Sequence, residues 1–81
     1  MEKKLIGGRE MYLRVTTEEI ILLFRENPHI ELETCGGLTR WLRYEQRRQR
    51  IGITDNIHYD WFSEEEFMNY YGSWYWFFFI M

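Results

Sequence analysis

The chain has 81 residues, 46% hydrophobic and 20% aromatic, with a formal net charge of −3. That length bounds it to one domain, residues 1–81, and the ring content excludes wholesale disorder. Cys35 is the single cysteine, which excludes an intrachain disulfide and points to a reducing, cytoplasmic setting, the host-cell cytoplasm for a viral protein.

Leu5 and Ile6 are predicted as a short strand turning at Gly7-Gly8 into a second strand over Met11–Val15, because both glycines tolerate φ > 0. After Met-Glu-Lys-Lys only two apolar residues, Leu5 and Ile6, precede that turn, so no secretory leader is expected. Thr16 followed by Glu19 is a capping box, and the helix it opens runs to about Asn27, before Pro28. Ile20, Ile21, Leu23 and Phe24 form its apolar face. Leu22 sits on the opposite side amid Glu18, Glu19, Arg25 and Glu26, a surface leucine and a secondary candidate for a partner contact.

His29–Thr34 alternates Ile30 and Leu32 with Glu31 and Glu33, the pattern of a half-exposed strand ended by Gly36-Gly37. A basic helix is predicted from about Leu38 to Arg50. On it Arg40, Arg43, Arg47 and Arg50 fall within an arc of ~80° at ~100° per residue. Leu38, Trp41 and Leu42 fall on the other side, and Glu45 intrudes on that apolar seam. Ile51–Thr54 and Ile57–Trp61 flank Asp55-Asn56 as a hairpin, with Ile51 and Ile53 facing the side of Ile57, Tyr59 and Trp61. Ser63 with Glu66 is a second capping box, with Phe67, Tyr70 and Tyr71 on one helix face and Gly72 as the stop. Trp74–Ile80 is then a strand apolar on both faces, which suits a central place in a sheet. At an edge it would be an oligomer interface. The stretch from Trp74 to Met81 is too short to span a bilayer, so no membrane partner is expected. The fold expected is α+β, in the approximate order β-β-α-β-α-β-β-α-β, with a mixed or antiparallel sheet of four to six strands and two or three helices.

Charge is segregated. Residues 1–37 sum to −2, residues 38–50 to +4 and residues 51–81 to −5. An all-arginine stripe forks onto carboxylate or phosphate oxygens, so Arg40, Arg43, Arg47 and Arg50 are the candidate partner-binding set. Pairing of the stripe with the acidic C-terminal helix is the competing explanation. Glu64, Glu65 and Glu66 with Asp55 and Asp60 make an acidic pole that could imitate a phosphate track, and helix capping explains the same residues. Glu64 and Glu65 join Leu22 as secondary candidates.

No catalytic, cofactor or metal set emerges. Cys35 has neither His29 nor His58 tied to it by spacing, one Cys and two His are too few for zinc, and Gly7-Gly8 lacks the P-loop lysine and serine. The order strand, helix, basic helix, hairpin resembles a winged-helix module, which implies nucleic-acid binding with the basic helix in the major groove. The hairpin tip, Asp55-Asn56, argues against it, since an anionic wing repels phosphates. The leading expectation is a non-enzymatic regulator or inhibitor that occupies a protein or protein–nucleic acid complex, with free nucleic acid as the alternative partner. Small phage and mobile-element products that block host defence complexes, anti-CRISPR proteins among them, are similar in type.

Overall fold

Seven strands of the computed structural model, which describes residues 2–34, 39–55 and 57–80, form one antiparallel sheet in the order β1-β2-β7-β3-β4-β5-β6. Expectations placed on Cys35, Gly36, Gly37, Leu38 and Asn56 lie outside the described residues. The α+β class and the two helices agree with the sequence reading, while the strand number exceeds the four to six expected.

β1 (Glu2–Ile6) and β2 (Arg9–Thr16) are a hairpin with Ile6 opposite Arg9, and Gly7 and Gly8 supply φ values of 57° and 80° at its turn. α1 (Thr17–Glu26) starts as its local chemistry dictates. Thr16 Oγ1 accepts from the Glu19 N–H at 3.1 Å, and Glu19 Oε1 accepts from the Thr16 N–H at 3.0 Å. β3 (Leu32–Thr34) is shorter than the run expected from His29.

The basic helix predicted over Leu38–Arg50 is a correction: its described part is β4 (Trp41–Glu45), a turn at 46–49 and the start of β5 (Arg50–Thr54). The reason is tertiary. Leu42 is buried, and Tyr44 stacks on Phe24 of α1 with centroids 5.6 Å apart. A helix would put Glu45 in the apolar seam. In the hairpin Glu45 lies opposite Arg50 and accepts from its Nε at 3.0 Å and its Nη2 at 3.1 Å. Arg40, which a longer strand would turn inward with Leu42, precedes β4. With no helix there, the winged-helix likeness falls as well.

β6 (Tyr59–Ser63) pairs with β5 so that Ile51 faces Phe62 and Ile53 faces Asp60. The expected side-sharing of Ile51 and Ile53 with Tyr59 and Trp61 is therefore a second correction. Asp55 Oδ1 caps the connection by accepting from the Ile57 and His58 N–H groups at 3.0 Å, and Thr54 pairs with Tyr59 rather than with Ile57, so Ile51 and Ile53 share their face with Asp60 and Phe62. α2 (Glu64–Tyr71) opens on the Ser63–Glu66 capping box. Phe67 is buried and Tyr71 half-buried, but Tyr70 is exposed. β7 (Tyr75–Ile80) runs between β2 and β3. It is central, as its sequence suits, pairing with β2 over 75–79 and with β3 over 78–80.

Both helices cover the same face. Ile20, Ile21, Phe24 and Phe67 pack with Val15, Leu32, Leu42, Ile51, Trp76 and Phe78 in one core. α1 carries three acids and one base and α2 three acids and no base, so the helical layer is −5 and the rest of the chain +2. Among the described residues no helix is long and apolar enough to cross a membrane.

One buried hydroxyl ties both helices to β7. Thr17 Oγ1 accepts from Trp76 Nε1 at 2.9 Å and donates to the Tyr71 carbonyl at the end of α2. That carbonyl also accepts from the Trp74 N–H at 2.9 Å, whereas the indole has Thr17 for its acceptor. Thr17→Val keeps the shape and leaves a buried donor unmatched. Equilibrium urea unfolding is expected to show a loss of about 1–3 kcal/mol, and an unchanged midpoint would mean that water replaces the hydroxyl.

Candidate functional site

Among the described residues no element covers the face of the sheet away from the helices, and strand register decides what it displays. Residues directly opposite one another share a face. One row runs Phe79, Glu33, Trp41, Thr54, Tyr59 across five strands. The next rows are Arg43, Gly52, Trp61 and then Glu45, Arg50, Ser63.

Gly52, on β5 beside the edge strand, shapes this part of the face. A Cβ there would stand 2.8 Å from Trp61 Cζ3, so the indole lies across the glycine in space no other residue would leave. Tyr59 stacks on Trp61 with centroids 5.4 Å apart and planes 11° apart. The Arg50 guanidinium stands 4.3 Å from the Trp61 centroid while Glu45 holds it from the side. Arg43 Nη1 donates to the Tyr59 hydroxyl at 3.2 Å, and its Nε pairs with Glu31 at 3.0 Å. The result is a rigid plate of two rings and two guanidiniums, with Tyr59 44% and Trp61 37% exposed. Further along, Arg9 lies 4.2 Å over Phe79 and pairs with Glu33 at 2.6 Å. Arg14, at φ 53° in the β2 irregularity, lies 5.5 Å over Tyr75.

The four arginines of the supposed stripe are thus divided. Arg43 and Arg50 sit on the open face, and Arg47 is exposed in the β4–β5 turn. Arg40 stands at the other end of β4, where its charge reaches Asp55 and Tyr71. Of the secondary candidates, Leu22, Glu64 and Glu65 converge on a groove between α1 and α2. Sequence reasoning missed Tyr59, Trp61, Gly52 and Glu31. The signal for the first two was the alternation of Tyr59 and Trp61 itself, assigned to the wrong face.

Electrostatically, the Tyr59 hydroxyl and then Glu31 hold the Arg43 guanidinium charged, and hydrogen bonding to Arg50 holds the Glu45 carboxyl below its ordinary range. Behind the sheet, Arg25 donates to Glu64, whose other oxygen accepts from the Tyr44 hydroxyl at 2.6 Å. Arg25 depresses the Glu64 carboxyl, while burial and then Glu64 push Tyr44 up to about 12. The signs follow. The unfolded chain sheds the tyrosine proton first, so this contribution is whole below about pH 10 and is lost as pH rises toward about 12. The Glu64 contribution is whole above the ordinary carboxylate value of 4.5 and is lost as pH falls below it. Thermal melts across pH are expected to show both losses. Tyr44→Phe should reduce the alkaline one, leaving the part that burial of Tyr71 contributes, and a wild-type plateau between about pH 10 and 12 would contradict the assignment.

Among the described residues no group of three or more His, Cys, Asp or Glu side chains is placed to hold a metal ion. What this surface offers instead is planar and cationic contact. Comparison of the chain with protein-family models, with curated proteins and with solved structures finds no match.

Proposed function

We propose that the chain is a non-enzymatic binding protein, a small regulator or inhibitor that occupies a protein partner through the open face of its sheet. The observation that carries this reading is the plate formed by Tyr59, Trp61, Arg43 and Arg50, exposed and yet fixed over Gly52. Tryptophan, tyrosine and arginine dominate the energetic centres of protein interfaces, and rings already held in place lose little freedom on binding. Arg9, Arg43 and Arg50 of this face are each paired with a carboxylate, of Glu33, Glu31 and Glu45, which lowers the positive potential offered to a nucleic acid. Such matched charges instead form the polar rim of a protein interface. Blocking of a host defence complex by a phage or mobile-element product, in the host-cell cytoplasm, is the setting we propose by analogy of size and type.

The test is capture of partners by the wild-type chain and by Arg43→Glu and Trp61→Ala, each first shown to be folded by circular dichroism. A partner retained by the wild type and lost by both variants, with the loss reproduced by purified proteins, supports the reading. Labelled single-stranded DNA and RNA titrated at low and near-physiological salt are expected to show little binding. Tight, salt-sensitive binding that is lost in Arg43→Glu would instead make this face a nucleic-acid surface.

A further inference from the structure

The helical side of the molecule carries a second surface that does not depend on the open sheet face. α1 and α2 leave between them a groove of about 420 Å³, lined by Glu18, Ile21, Leu22, Glu64, Glu65 and Met68, with Arg25 at its side. Its floor is apolar. Ile21 is buried, Met68 is half-buried, and Leu22 is 48% exposed although it is a large aliphatic side chain on a helix. The charges along it do not balance. Arg25 and Glu64 neutralise each other through the Nε donation at 3.0 Å. The carboxylates of Glu18 and Glu65 make no hydrogen bond or ion pair with the described residues. Two unmatched carboxylates therefore flank an apolar floor, on a helical layer whose charge is −5.

We propose that this groove docks a basic amphipathic helix of a partner protein. An aliphatic side chain of that helix would rest against Ile21, Leu22 and Met68, and lysines or arginines on either side would reach Glu18 and Glu65. A third helix fits because the valley between two packed helices receives the ridge of another, and helix-in-groove recognition uses this apolar anchoring. Charge complementarity selects the class of partner. The rim attracts cationic side chains and repels acidic segments and phosphates alike.

The probe is a synthetic lysine/leucine peptide with helical amphipathic spacing, titrated into the isotope-labelled full chain and followed by amide chemical shifts. A scrambled peptide of the same composition and a glutamate/leucine counterpart are the controls. The expected result is shifts concentrated on α1 and α2. Affinity should fall by about fivefold or more in Glu18→Gln/Glu65→Gln and, separately, in Leu22→Ser. Leu5→Ser, at an exposed position on the edge strand β1, should leave it unchanged. All of these substitutions are at exposed side chains, and circular dichroism confirms the fold of each. The proposal is overturned by absence of binding, by shifts that map to the open sheet face, or by equal binding of either control peptide. Unchanged affinity in both groove variants overturns it as well, and so does self-association of the chain through α1 and α2, which would make a second copy the occupant.

Discussion

Trp61→Ala is expected to weaken binding of the purified partner by about thirtyfold or more, the roughly 2 kcal/mol lost when a central aromatic anchor is truncated. Trp61 belongs to β6, the edge strand, and its ring lies on the uncovered face, so its removal opens no hole in the core. The same ring is the surface against which Tyr59 and Arg50 are ordered. Truncation therefore removes one contact and loosens two others. Arg43→Glu is expected to be equally damaging, because it reverses a charge held between the Tyr59 hydroxyl and Glu31. Gly52→Ala separates geometry from chemistry. It deletes no group of the plate, but its Cβ would stand 2.8 Å from Trp61 and force the ring to lift. Binding should fall severalfold with no change in charge. Arg40→Glu is the contrasting variant, since Arg40 lies outside the plate, and binding within about twofold of wild type is expected. Calorimetry on the purified pair decides the matter, and an undiminished affinity for Trp61→Ala would remove the open face as the site.

The largest loss of stability is expected from Phe67→Ala, about 3–5 kcal/mol. Phe67 is fully buried at the inner face of α2. Its ring stacks on Trp76 of β7 with centroids 5.9 Å apart and meets Phe62 of β6 edge-on at 6.4 Å. Together with Tyr71, which also meets Phe62 and Trp76, it joins α2 to the edge and the centre of the sheet. The neighbours are large, planar and locked by one another, so they close poorly over the space left behind. In a domain of this size such a loss is a large share of the usual margin of about 5–15 kcal/mol. The urea midpoint should fall steeply at constant slope, whereas Leu5→Ala, at a position 68% exposed, should change stability by no more than about 0.5 kcal/mol. A shift below about 1 kcal/mol for Phe67→Ala would show that the ring cluster does not hold the helix to the sheet.

The features the sequence by itself determined are those closed within a few residues. Thr16 with Glu19 and Ser63 with Glu66 satisfy the first N–H groups of each helix locally, and both helices begin where those pairs stand. Gly7-Gly8 makes its turn for a reason confined to two φ angles. Trp74–Ile80 announced a central strand by its composition alone, and β7 occupies that place. Only the tertiary structure decided the basic segment. Arg40–Arg50 sorts well on a helix, but Tyr44 finds Phe24 and Glu45 finds Arg50 only when the chain is a hairpin. Tertiary structure likewise turned Tyr59 and Trp61 outward, because the pairing of Ile53 with Asp60 is set across strands. It also divided the arginines and brought Leu22 beside Glu64 and Glu65. Helix caps are local hydrogen bonds and are written in adjacent residues. Strand pairing and facing depend on partners far along the chain, so one residue of register transfers a binding surface from one side of a sheet to the other.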